Sequence, residues 1–178
     1  MVQINSKFGV GLMVASVLLS ILGTIGITIE DSVESIPTPN VPNSVFFADD
    51  PVQDNPLSLF VSANADITWD RSDVFLVVGD SDKKAQCDGL NFIERTNQNT
   101  ELCTRSDNDF VAIGDDNSSG FSWSVESGEY YVGIGSLNEI SGEFELNVDY
   151  EVELTLSAAG YFIMVLMLFS GFVLNRFQ

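Results

Sequence analysis

The chain reads as a mainly β protein: an antiparallel, jelly-roll-like β-sandwich flanked by two transmembrane α-helices. Three features predict this. Two uncharged apolar runs, Phe8 to Ile29 and Leu154 to Leu174, lie toward the two ends. Between them, short β-rich runs are separated by Gly, Asn, Asp and Ser, with no helical periodicity from Glu30 to Glu153. All 26 acidic residues of the 178-residue chain fall in that interval, against five basic ones there, which leaves it near −21.

The first run, Phe8 to Ile29, is about 22 residues long and holds nothing costlier than Gly, Ser and Thr. A single Asp or Lys at its centre would cost about 2.5–3.5 kcal/mol on insertion scales, so the absence of charge is informative. A cleaved signal peptide is the competing reading, with Lys7 as a short basic region and Thr24 and Gly26 as small residues near a cleavage site. Against it, the run exceeds the roughly 7–15 residues usual for such a core, and no A-x-A site follows. The second run, Leu154 to Leu174, is about 21 residues long and at 1.5 Å per residue matches a hydrocarbon core of about 30 Å. Lys7 precedes the first run and Arg176 follows the second. The positive-inside rule then places residues 1–7 and 175–178 in the cytoplasm and the acidic segment outside a cell membrane crossed twice. Small residues at spacing four, Gly11 with Ala15 and Ser16 with Ser20, recur in the second run as Ser157 to Gly160 and Ser170 with Gly171. Packing of the two helices against each other is the simplest use of both sets.

Residues 30–56 read as a linker, because all five prolines fall there (Pro37, Pro39, Pro42, Pro51, Pro56), with Val45 to Ala48 as an edge strand inside it. Residues 57–153 are the expected sandwich. Its strands are predicted at Leu57 to Val61, Ile67 to Trp69, Val74 to Val78, Phe110 to Ile113, Phe121 to Val125, Tyr130 to Ile134 and Phe144 to Leu154. Val74 to Val78 is apolar on both sides and reads as central, whereas Phe121, Trp123 and Val125 alternate with serines as in a half-exposed strand. The last strand alternates most strictly, with Glu143, Glu145, Asn147, Asp149, Glu151 and Glu153 on its wet face, and runs straight into the second helix. Gly79 to Glu101 reads as a long irregular connection. The two cysteines of the chain, Cys87 and Cys103, are expected to form a disulfide outside the cell, closing a loop worth about 3 kcal/mol in the chain-entropy model.

The strong negative charge makes nucleic acid and anionic headgroups poor partners. There is no histidine, which removes the usual general base, the Ser-His-Asp arrangement and ordinary zinc sites, and no phosphate-binding or dinucleotide fingerprint is present. Catalysis, a cofactor and a small-molecule substrate are therefore not expected. One metal pattern stands out: Asp115, Asn117, Ser119, Gly120 and Glu126 match the spacing of a twelve-residue calcium loop. The alternation of Phe121 to Val125 as a strand would carry Glu126 about 17 Å away, so a tight Asp/Asn/Gly turn is the competing reading. Asn117-Ser118-Ser119 is also an N-glycosylation sequon, which fits a surface turn outside the cell.

The segment from Phe121 to Ile134, with its alternating Phe121, Trp123 and Val125 followed by Gly128-Glu129-Tyr130, leads on to Gly142-Glu143-Phe144-Glu145-Leu146-Asn147-Val148. It resembles the closing strands of two kinds of β-sandwich: the GOLD domain of the emp24/p24 membrane proteins and the pre-peptidase C-terminal domain of secreted microbial enzymes. The resemblance covers about 30 residues and implies a binding or cargo-type ectodomain; neither a coiled coil nor a sorting tail of the emp24/p24 kind accompanies it. The functional expectation is a non-enzymatic, membrane-anchored binding module that contacts membrane or envelope proteins, glycans or cargo. The alternatives are an accessory structural subunit of a larger membrane complex and a calcium-dependent adhesion protein. Intact mass of the membrane-extracted protein should retain the first apolar run; a product short by about 25 N-terminal residues would make that run a signal peptide.

Overall fold

The computed structural model describes residues 6–52, 54–96, 101–139 and 145–176. Its order is α1 (Ser6–Ile25), β1 (Ile27–Pro37), β2 (Val45–Phe47), β3 (Val61–Trp69), β4 (Val74–Asp80), α2 (Ser81–Asp88), α3 (Phe92–Arg95), β5 (Ala112–Gly114), β6 (Phe121–Val125), β7 (Tyr130–Ser136), β8 (Glu145–Leu156) and α4 (Ala158–Arg176). Two four-stranded antiparallel sheets form, one in the order β1-β8-β3-β6 and the other β2-β7-β4-β5. They enclose a core in which Ala63, Ala65, Ile67 and Trp69 of β3 face Val74, Leu76 and Val78 of β4, with Trp123, Val125, Leu146 and Val148 beside them.

The first apolar run is divided by Gly26. Its φ of 78° lies in the left-handed region that ends helices, and its N–H closes the last turn onto the Leu22 carbonyl at 3.0 Å. The β-branched residues after it, beginning Ile27-Thr28-Ile29, form a strand instead of prolonging the helix. Residues 30–37 are therefore not the linker that the prolines suggest. β1 pairs with β8 from Ile27 opposite Leu154 to Pro37 opposite Glu145, interrupted by a bulge between Val33 and Ile36. Ser35 takes a φ of 58° in that bulge, and its N–H donates to the Asn147 side chain at 3.0 Å. Proline excludes the strand only from its own position onward, which is where β1 stops.

Four further expectations change. Leu57 to Phe60 is a turn, because the Asn55 side chain accepts the Leu57 N–H at 3.2 Å and donates to the Val61 carbonyl at 2.7 Å. The strand beyond it is one nine-residue element, β3, not two. The connection after Gly79 holds two short helices, whose N-termini are capped by Asp80 and Asn91. α2 escapes a hydropathy reading because the residues it buries are Lys83 and Cys87, one turn apart. At the other end β8 runs through Leu156, so the second apolar run becomes a helix only at Ala158. Gly142 to Phe144, part of the resemblance and of the expected last strand, lie outside the described residues.

Antiparallel α1 and α4 pack on each other, through Ser16 and Gly171 of the small residues named above and through Gly9, but not through Gly11. A Cβ on Gly11 would meet nothing within 4 Å, whereas one on Gly9 would lie 2.8 Å from the Gly171 carbonyl oxygen, and one on Gly171 2.7 Å from that of Gly9. Ser16 is buried between the helices and donates to the Met164 carbonyl at 2.5 Å; Thr24 and Tyr161 share a hydroxyl hydrogen bond of 2.7 Å. Gly9 and Ser16 thus mark one seam at spacing seven, the repeat of a left-handed helix pair, and Gly23, seven further on, packs against Leu156 of β8. Gly171→Leu should lower the melting temperature of the detergent-solubilised chain, as expected for an overpacking cost of about 1–3 kcal/mol, while Gly11→Leu leaves it unchanged. Circular dichroism melts of the two variants test the seam.

Candidate functional site: a cleft between the sheets

The ladder fixes which residues share a face. Across β1, β8, β3 and β6, one row reads Ile27, Leu154, Ala63, Val125, and the next Ile29, Val152, Ala65, Trp123. All eight are apolar and belong to the inner face of their sheet. Where β3 contributes only alanines, the two sheets do not fill the space between them. A cavity of about 710 Å³ remains, walled by these rows, Ile27 excepted, together with Val148 and Tyr150 on one side and Leu76, Val132 and Ile134 on the other. This volume lies within the roughly 300–1,000 Å³ of small-molecule sites. The β5–β6 edge is closed, since a Cβ on Gly114 would collide with Phe121 and Trp69. Toward the β1 edge the cleft reaches the surface, where Ile29 is 50% and Val33 48% exposed.

Polar groups sit at the rim. Tyr150 donates to Asp31 at 3.3 Å, and burial together with that carboxylate pushes its phenol above the ordinary value. Asn55 is consumed by its own turn, and Asp54 is exposed. The outer face of the same sheet is acidic: Glu30, Glu151 and Asp66 stand in one cross-strand row, and Ser122 donates to Asp66.

A second polar cluster holds the far sheet to its covering segment. The Cys87–Cys103 disulfide forms, with a Cα–Cα distance of 5.6 Å and both residues fully buried. Beside it Lys83 and Asp107, each 5% exposed, form an ion pair at 2.6 Å, with the ammonium 5.2 Å from the Phe110 ring centroid. Burial pushes the Asp107 carboxyl up, but the Lys83 ammonium and the N–H groups of Cys103 and Asp109 outweigh it and hold the group below its ordinary value. Arg95 completes the cluster by donating to the Val45 carbonyl at 2.8 Å and to that of Cys87, while stacking 4.4 Å from the Phe46 ring centroid.

Asp115 of the calcium pattern, and Asp116 beside it, are engaged in other ways. Asp115 pairs with Arg105 at 2.8 Å, and Asp116 accepts the Ser118 N–H at 3.0 Å and its hydroxyl at 2.8 Å, which lowers its carboxyl below the ordinary value. Asn117 and Ser119 lie in the same turn, which Gly120 closes with a φ of 61°; Glu126 follows the far end of β6. Among the described residues, no group of three or more His, Cys, Asp or Glu side chains is arranged to hold a metal. The cleft itself was not foreseen. Its signal is the strict alternation from Val61 to Trp69, in which alanines occupy two of the inward positions.

No known protein family matches the chain, and neither does any curated protein. Among solved structures, one similar chain belongs to the Bacillus endospore appendages, described as a novel family of disulfide-linked pili. It shares 12% identity at a TM-score of 0.31, over 75% of this chain and 91% of that one. Another is PliG of Aeromonas hydrophila, a periplasmic inhibitor of g-type lysozyme, at 9% identity and a TM-score of 0.22, over 74% and 86%. Neither is a GOLD or pre-peptidase domain, and at these scores neither bears on the fold or function of this chain.

Asp107→Asn should destabilise the domain by about 3 kcal/mol in urea unfolding, because it removes the close partner of buried Lys83 and leaves it only the exposed Asp109 carboxylate at 3.7 Å. The wild-type contribution of Asp107 is present above the unfolded carboxyl value near 4 and is lost as pH falls through the lower folded value. The gap between variant and wild type should therefore narrow on acidification; a gap independent of pH would contradict the assignment.

Proposed function

We propose that this chain is a two-pass membrane protein that holds a jelly-roll-like sandwich outside the cell, both termini in the cytoplasm, as a non-enzymatic binding module. One observation carries the reading: β1 and β8 are neighbours in one sheet and pass directly into α1 and α4, which are neighbours in one helix pair. Sheet and helix pair form a single antiparallel hairpin with a greasy end and an acidic end. Lys7–Ile25 and Ala158–Arg176 are 19 residues each and apolar enough to cross a membrane, and at 1.5 Å per residue they span about 28 Å.

The contact of Gly9 with Gly171 puts Lys7 and Arg176 at the same end of the pair, which is the distribution that the positive-inside rule associates with the cytoplasm. The jelly-roll reading is supported by eight strands in the orders β1-β8-β3-β6 and β2-β7-β4-β5, which stack first strand over second and eighth over seventh. The binding reading is supported by the apolar cleft, and the non-enzymatic one by a chain without histidine whose carboxylates line an exposed face.

A membrane-impermeant maleimide tests the orientation. Ser118→Cys should react in intact cells, and Asn175→Cys only after permeabilisation. The reverse pattern would overturn the topology.

A further inference from the structure

We propose that the cleft between the sheets takes up a single hydrocarbon chain of a bilayer lipid carrying a neutral or cationic headgroup. This rests on the membrane-anchored reading above. The first ground is position. Ile29 follows the end of α1 by four residues, and Leu154 precedes α4 by four. At about 3.3 Å per residue the nearest wall of the cleft starts about 13 Å from the helix ends. The headgroup layer on each side of a bilayer is about 5–8 Å deep, so the cleft begins just above it, within reach of an acyl chain drawn up from the bilayer. The turn at Leu57 to Phe60 marks the same level: Leu57 and Leu59 are exposed, and the Ser157 hydroxyl at the head of α4 holds the Leu59 carbonyl at 2.5 Å.

The second ground is chemistry. The walls offer Ile, Val, Leu, Ala and Trp side chains, and the polar groups at the rim are bonded to one another or open to water. Such a cavity gains by excluding water around an alkyl chain and has nothing with which to orient a sugar or a peptide. The third ground is charge. Asp31 and Asp54 lie at the mouth, with Glu30 and Glu151 on the adjoining face. That field repels a fatty acid anion or a phosphatidate and tolerates a choline or amine headgroup. Ala65, between Val152 and Trp123, sets the free space, so a larger side chain there fills the site from within.

Trp123 lines the cleft and serves as the reporter. The full chain in nanodiscs is titrated with a monoacyl phosphocholine brominated along its chain, and tryptophan fluorescence is followed. Saturable quenching is expected, with apparent affinity reduced at least about tenfold in Ala65→Leu at unchanged secondary structure. Ala63→Leu, one row nearer the helices, serves if Ala65→Leu does not fold. Absence of saturable quenching in the wild type, or equal quenching in the filled variants, would overturn the proposal. Equal binding of a brominated monoacyl phosphate would overturn its headgroup preference. Quenching in a chain that labels from the wrong side would sink the topology and leave the cleft; correct labelling without quenching would do the opposite.

Discussion

The pairing of β1 with β8 is the constraint on which the rest of the structure depends. It joins the two ends of the sandwich in one ladder, and the same two chain segments continue past Gly26 and Ser157 into helices that also pair. With only one residue between each strand and its helix, the ladder and the helix seam restrict each other. Two hydroxyl contacts, Ser16 with Met164 and Thr24 with Tyr161, extend along the helices a registry that the strands begin. Such contacts are individually small in an apolar surrounding, about 0.6–2 kcal/mol, but they act on a pair whose ends are already held together.

That ladder also sorts polarity. Its inward rows are apolar and end in the cleft; its outward rows are carboxylates and hydroxyls. Glu30, Glu151 and Asp66 stand directly across from one another, which costs about 0.8 kcal/mol per neighbouring pair at ~5 Å in water and less in salt. The sheet tolerates this because the carboxylates are exposed and the inward face gains more from burial. The opposite sheet is treated differently. Its outer surface is covered by α2, the disulfide and the Lys83–Asp107 pair, so that Phe75 and Val77 are fully buried on that side too.

Most of the architecture is legible in residue pattern. Val74 to Val78, apolar at every position, is the buried strand that it reads as, and Glu145 to Leu154 alternates as written. The disulfide follows from the presence of two cysteines in a segment expected outside the cell. What is hidden has physical reasons. Ile27 to Ile29 is apolar whether it is helix or strand, and only the positive φ of Gly26 decides between them. α2 buries a lysine, so no hydrophobic stripe announces it. Within the calcium-like spacing, Asp115 pairs with Arg105 and Glu126 lies beyond the far end of β6. The cleft is an absence of volume, and alanine in a strand reads as weak propensity before it reads as room.

Both the hairpin and the cleft require β1 to be part of the folded sheet. Amide hydrogen exchange of the full chain in bicelles tests this directly, since paired strands open only with the unit to which they belong. Slow exchange at alternate residues between Ile27 and Val33, comparable to that in β8, is the expected result. If this segment exchanged like open chain while β3 and β4 stayed protected, it would be a tether, and both the rigid hairpin and the wall of the cleft would be wrong.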